Sequence, residues 1–280
     1  MERPALTSVD ALPVLGAGVA LIDSHCHLDM GSFALDCDAV IDRARRAGVE
    51  KMITIGASGP FSANLEAIAV AEKSEAVFAT VGVHPHEAAT VDDAVLRDVE
   101  RLAKHPRVVG IGETGLDFHY DNSPRPQQRE AFRRFVDLAR RLDLPVSIHL
   151  RDADQDAAEI LADEGLGGAG GVIHCFSSDR TAARTFLDLG LHISFSGILT
   201  FKTADTLREA ARIVPADRLL LETDAPFLAP IPHRGRRNEP ALITYTAAVM
   251  AEVRGEPIDA IAACTAANAT RLFRLTPRRA

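Results

Sequence analysis

The chain has 280 residues, 47% hydrophobic and 25% charged, the balance of a folded globular protein of one or two domains. Its 31 basic and 39 acidic side chains leave a formal net charge of -8, which excludes bulk attraction to nucleic acid or to an anionic membrane and leaves room only for a local basic patch. Charged residues interrupt every apolar run well short of the roughly 20 residues that span a bilayer, so no membrane association is expected.

The opening segment has no basic stretch followed by an apolar core, and Asp10 and Pro13 break its apolar character; it reads as a loose tail over 1–18 and not as a signal peptide. From Val19 onward, short β-branched runs ending in polar residues alternate with longer amphipathic stretches. The runs predict strands over 19–23, 51–55, 77–81, 108–111, 145–148, 171–173, 192–195 and 218–221. Apolar stripes at helical spacing predict helices over 38–47, 65–73, 92–104, 127–142, 152–163, 180–189 and 203–213, with two more over 239–254 and 257–273 closing the body from outside. Eight such units in roughly 250 residues match the size of a single (β/α)8 TIM barrel over 19–275, followed by a frayed basic end over 276–280. A doubly wound open sheet would show a GxGxxG after its first strand and a split into halves; neither is present. Cys26, Cys37, Cys175 and Cys264 are scattered with no CxxC pair, so they suggest neither a thiolate zinc site nor a disulfide framework, and a reducing cytoplasm suits them best.

A parallel barrel builds its active site at the carboxyl ends of its strands, and those ends are unusually polar here. The first strand ends in Asp23-Ser24-His25-Cys26-His27, where alternation along extended backbone points His25 and His27 the same way. Glu113, His149, His174 and Asp224 follow the fourth, fifth, sixth and eighth predicted strands. Six nitrogen and carboxylate donors at one barrel mouth are costly to bury without a partner, and divalent ions both satisfy and neutralise them. Six exceed the three or four ligands typical of one catalytic zinc, which makes two ions bridged by a carboxylate the economical solution and hydrolysis the implied chemistry. A carbamylated lysine is the other bridge such barrels use, but Lys51, Lys73, Lys104 and Lys202 stand at none of these ends, so Glu113 is the expected bridge. Asp224, at the last strand, is the candidate both to ligate and to accept a proton from the attacking water.

These stretches together with Gly82-Val83-His84-Pro85-His86, Gly112-Glu113-Thr114-Gly115-Leu116-Asp117, PVSIHLR (145–151), His174-Cys175-Phe176, SFSGILTFK (194–202), ETDAPFL (222–228) and PHRGRRNEP (232–240) closely resemble the TatD family of metal-dependent deoxyribonucleases, in order, over about 21–273. The resemblance implies an amidohydrolase-like barrel that hydrolyses phosphodiesters, often shortening single-stranded DNA in the 3′ to 5′ direction. It also implies that His25, His27 and Asp224 hold one metal, that His149 and His174 hold a second, and that Glu113 bridges them. The same site would serve an ester or amide hydrolase, such as a D-aminoacyl-tRNA deacylase or an amidohydrolase. Magnesium prefers all-oxygen sites, whereas four histidines suit zinc or manganese, so the identity of the ions stays open between Mg²⁺, Mn²⁺, Zn²⁺ and similar cations.

Expected substrate contacts rest on charge and position. Arg234, Arg236, Arg237 and Asn238 follow the eighth strand in a loop held by Pro230, Pro232 and Gly235, where guanidinium forks would grip phosphate oxygens. Arg151 is expected either on phosphate or in an ion pair with Asp117, Asp152 or Asp154. His84, beyond the third strand, is expected to face the metals or the substrate. Asp29 and Asp117 are candidates to hydrogen-bond ligand imidazoles, or to cap helices. With aromatic content of 5% and no Trp, long stacking platforms are excluded, and Phe118, Tyr120, Phe176 and Phe201 are left as candidates to stack one or two bases. The expected partner is therefore the end of a single DNA strand, with no obligatory protein partner.

Overall fold

The computed structural model describes residues 12–275; residues 1–11 and 276–280, parts of the segments expected to be a tail and a frayed end, lie outside the described residues. Eight strands form one parallel sheet in the order of the chain: β1 (Leu21–Cys26), β2 (Val49–Ile55), β3 (Val77–Val81), β4 (Val108–Asp117), β5 (Val146–Arg151), β6 (Gly171–Ile173), β7 (His192–Phe195) and β8 (Leu219–Leu221). Helices α1 (Cys37–Arg46), α2 (Ala63–Lys73), α3 (Asp93–Leu102), α4 (Arg125–Leu142), α5 (Asp154–Glu164), α6 (Arg180–Asp188) and α7 (Asp205–Ile213) follow the first seven strands, and α8 (Ile243–Arg254) and α9 (Ile258–Phe273) follow the last. The result is the (β/α)8 barrel expected from the alternation, nearly closed. None of the described helices is long and apolar enough to cross a membrane.

The seam between β8 and β1 closes beyond the strands themselves. The backbone N–H groups of Asp224 and His27 donate to the carbonyls of His25 and Ala225, and the Asp23 carboxylate accepts both the N–H and the hydroxyl of Thr223. One side chain thus replaces rungs of the ladder, and it costs: burial pushes the Asp23 carboxyl up to about 8 despite those hydrogen bonds.

The floor of the barrel is sealed. Ile22, Ile53, Ile55, Phe78, Val109, Val172 and Leu220 from six strands pack with Leu272 and Phe273 at the end of α9 and with Leu275 beyond it, all 7% exposed or less. An apolar plug at the amino ends of the strands leaves the carboxyl ends as the open face. Before β1, Leu15 packs against the main core and the Gly16 N–H donates to Asp259, so the described end of the entering segment lies on the body.

Several boundaries differ from the sequence reading, and they move chemistry. β4 extends six residues past the predicted 108–111, because Gly112 and Gly115 let β4 lie against β5. β1 runs 21–26 rather than 19–23, with a register irregularity between Asp23 and Cys26, and β5 runs to Arg151. His25, Glu113 and His149 consequently sit on strands and not just after them, where the backbone is held on both sides.

At the start of β7, His192 is 7% exposed, and burial together with Arg218 and Arg271 pushes its pKa down to about 4. The unfolded chain takes up this proton near 6.5 and the folded chain does not, so stability is undiminished above pH 6.5 and falls as pH drops from there towards 4. The expected loss is about 3 kcal/mol, and His192→Leu should flatten that part of the pH–stability curve measured by urea unfolding. An unchanged slope in the variant would contradict the assignment.

Candidate metal centre

Glu113 is the hub of the open face. Its Oε1 lies 2.7 Å from His174 Nε2, 2.9 Å from His149 Nδ1 and 3.5 Å from His84 Nε2, while Oε2 lies 3.6 Å from His25 Nε2 and accepts the Ser58 hydroxyl at 3.2 Å. The local sequence explains how a carboxylate reaches so many partners. Gly112 and Gly115 flank it at φ +134° and +143°, and a Cβ on either would stand 2.4 Å from Ser147 O or 2.0 Å from His149 O, so only glycine lets β4 bring Glu113 this close to β5.

Beside this group stands a second one. His25 Nε2 and His27 Nε2 face each other at 3.3 Å, and Asp224 Oδ1 lies 3.7 Å from the first and 3.2 Å from the second. Asp224 takes left-handed backbone at φ 55°, unusual for a non-glycine residue, and its N–H is tied to His25 O, which aims the carboxylate back across the seam. His25 is common to both groups, its ring stacked on that of His174 at 3.8 Å. A third trio, His84, Glu113 and His149, shares the same carboxylate. The structure therefore brings together all six expected metal-site residues and adds His84 to them.

Positioning groups stand behind this cluster. Asp117 Oδ2 contacts both His149 Nε2 (3.2 Å) and His86 Nε2 (2.9 Å), and its Oδ1 accepts the N–H groups of His119 and Tyr120. Glu222, fully buried, accepts the Cys175 N–H and lies 3.4 Å from His174 Nδ1. Glu222, one residue past the predicted eighth strand, entered the sequence analysis only within the ETDAPFL stretch, and its place two residues before Asp224 was the available signal. Asp29 instead accepts from the Thr54 hydroxyl.

The electrostatics fit a cation. Burial raises a carboxyl, yet at Glu113 the surrounding His174, His84 and His149 outweigh it and hold the group well below its usual range. Burial, then neighbouring His174, keeps His25 far below the usual imidazole value and so neutral, with a lone pair available. At His27 burial is outweighed by Asp224, which raises the ring to about 9. Two imidazole nitrogens facing each other beside a carboxylate share at most one proton between them, whereas a divalent ion meets all three donors together. The donor set thus suits borderline divalent metals bound by nitrogen and oxygen.

A cavity of about 660 Å³ opens above the cluster, lined by Glu113, Asp224, His84, Arg151, Tyr120 and Phe227 among others. Arg151 is exposed, makes no ion pair among the described residues, and holds its guanidinium over the Tyr120 ring. The expected phosphate loop divides. Arg234 lies over the Phe201 ring and Arg236 projects from an exposed stretch; neither lines the cavity. Arg237 is committed elsewhere, donating to both Asp36 oxygens at 2.8 and 2.7 Å and to Ser32 O, and its fork holds Asp36 below the usual carboxylate range. Asn238 is fully buried and donates to the carbonyls of Thr223 and Phe227. These two residues, expected on the substrate, brace the loop, because a charge run in sequence does not reveal which of its members finds a carboxylate.

The family model for TatD related DNase matches residues 22–274, nearly the whole barrel. The chain belongs to the TatD family. Among TatD relatives it is 42% identical over 262 residues to the uncharacterized metal-dependent hydrolase YcfH of Escherichia coli (strain K12), covering 92% of this chain and 97% of that one. It is 38% identical over 258 residues to a protein of Rahnella sp. (strain Y9602) named 3′-5′ ssDNA/RNA exonuclease TatD, covering 90% and 98%. The crystal structure of YjjV, a TatD homolog from Escherichia coli K12, superposes with a TM-score of 0.86 at 33% identity over 91% of this chain and 98% of that chain. The chain is accordingly a metal-dependent hydrolase of the TatD family.

Proposed function

We propose that this TatD-family hydrolase uses two divalent ions to cleave phosphodiesters and shortens single-stranded DNA from its 3′ end. The observation that carries the reading is the single carboxylate of Glu113 lying between His25 on one side and His149 and His174 on the other, under an open cavity. His25, His27 and Asp224 would hold one ion, His149 and His174 the other, with Glu113 shared. Ions so held supply Lewis acidity, lowering the pKa of a water and neutralising charge on a phosphoryl oxygen. Glu113 and Asp224 both line the cavity, and Asp224, at 14% side-chain exposure against 3% for Glu113, is the more open of the two and would accept a proton from a water there. Glu113 keeps the imidazoles in place, and Asp117 fixes the ring of His149 by holding its Nε2 so that Nδ1 faces Glu113. The Rahnella relative's name supports the choice of bond and polarity.

The test is digestion of 5′-labelled single-stranded DNA by chelator-stripped protein, with Mg²⁺, Mn²⁺ or Zn²⁺ restored separately. A ladder shortening from the 3′ end is expected. No cleavage with any ion would overturn the reading and turn attention to ester or amide substrates at the same cluster. Asp117→Asn should weaken metal retention about 10- to 100-fold, measured by competition with a chelating indicator, since it leaves His149 without its carboxylate partner. Metal affinity equal to that of the parent chain would remove Asp117 from the scheme.

A further inference from the structure

The chain has twelve phenylalanines and two tyrosines, and among the described residues only Tyr120 and Phe227 are exposed, at 57% and 47%. Both line the cavity over the cluster. Tyr120 follows β4, next to β5, and Phe227 follows β8, next to β1, so in the order of the sheet they stand half a barrel apart with Glu113 and its histidines between them.

Each is held in place by the site itself. The Tyr120 N–H donates to Asp117 Oδ1 at 2.9 Å, and its ring meets His86 and His119 edge-on at 5.6 and 4.7 Å. The Phe227 N–H donates to Asp224 O, its carbonyl accepts from Asn238, and its ring meets His27 edge-on at 5.9 Å. Two anchored aromatic rings beside an anion-directed centre are the parts from which unpaired bases are gripped without reading their identity. The two sides differ in charge. Arg151, beside Tyr120, is the one arginine or lysine among the cavity-lining residues, and no carboxylate pairs with it among the described residues.

Resting on the nuclease reading, we propose that Tyr120 and Phe227 are stacking subsites on either side of the scissile phosphate: Phe227 takes the departing 3′-terminal base, and Tyr120 takes the base before it. The charge decides the direction. The terminal nucleotide has no phosphate beyond the scissile one, whereas the retained strand continues with another, and the cation stands on the Tyr120 side. Bases drawn to opposite walls are stacked neither on each other nor in a duplex, so a paired end has to fray before it is cut.

The experiment compares kcat/KM on three 5′-labelled single-stranded oligonucleotides: one with every base, one with an abasic tetrahydrofuran residue at the 3′ terminus, and one with it at the penultimate position. On the fully based strand, Phe227→Ala and Tyr120→Ala should each lower kcat/KM by about tenfold or more, while Tyr120→Phe stays within about twofold. The Phe227→Ala penalty should shrink below about twofold when the terminal residue is abasic, and the Tyr120→Ala penalty when the penultimate one is. Metal content, measured alongside, should match the parent chain, because both rings are exposed and neither is a ligand. Penalties that persist on the abasic strands would overturn the stacking assignment, and the reverse pairing of variant and abasic position would overturn its direction. If the parent chain cuts none of the three, the nuclease reading fails and takes this one with it, an outcome separable from both.

Discussion

Glu113→Ala should lower turnover at least about a thousandfold and leave the protein holding less than its full metal complement. The carboxylate lies within 3.6 Å of nitrogens from His25, His149 and His174, and it is the group that joins the two donor sets. Its loss removes one donor from each set and leaves His174 buried at 4% exposure without the anion that holds its pKa well above the usual imidazole value. Metal-based stabilisation of a phosphoryl transition state amounts to several kcal/mol, and each 1.36 kcal/mol is a factor of ten in rate. Metal per chain by mass spectrometry and hydrolysis at saturating ion are the two readings, with Glu113→Gln retaining the shape without the charge. A variant with the full metal complement and a rate within tenfold of the parent would dismantle the shared-carboxylate scheme.

Gly115→Ala should cost stability before it costs chemistry. Gly115 stands opposite His149 in the β4–β5 register, at φ +143°, and a Cβ there would sit 2.0 Å from the His149 carbonyl oxygen. Neighbouring pairs Thr114 with Ile148 and Leu116 with Leu150 hold the two backbones together on both sides, so neither strand yields locally. Strained backbone and a clash with main chain together exceed about 4 kcal/mol, a large part of the 5–15 kcal/mol that a typical protein has. A fall in Tm of roughly 10 °C or more, or loss of soluble protein, is expected, and an unchanged Tm would show that β4 and β5 have slack that the register hides.

What was legible in the sequence follows from how local each signal is. The eight strands announce themselves because each is a short β-branched run between amphipathic helices, and a parallel barrel then places polar strand ends at one mouth. His25, His27, Glu113, His149, His174 and Asp224 converge as that reasoning requires. The rest depends on tertiary contacts. Gly112 and Gly115 look like strand ends until β5 is beside them, and Arg237 looks like a phosphate clamp until Asp36 is seen 201 residues away in sequence. Asn238 reads as polar loop, yet it has no exposure and fastens the backbone of Phe227. Phe227 itself sits between Ala225-Pro226 and Leu228 in the ETDAPFL run, where nothing local distinguishes an exposed ring from a core one. Phe118, Phe176 and Phe201, read as equal candidates to Tyr120, do not line the cavity.

The seam between β8 and β1 also sets when the molecule acquires its chemistry. His27 and Asp224 are separated by 197 residues, and Thr223 reaches Asp23 across 200. Contacts that distant in sequence close long loops and are slow to form. A nascent chain emerging from the ribosome therefore carries the His25–His27 pair long before Asp224 exists to complete it, and Glu113 precedes His149 and His174 on the same schedule. A half-built barrel lacks Asp224, so the donor cluster is complete only once the last strand has been made and has closed on the first.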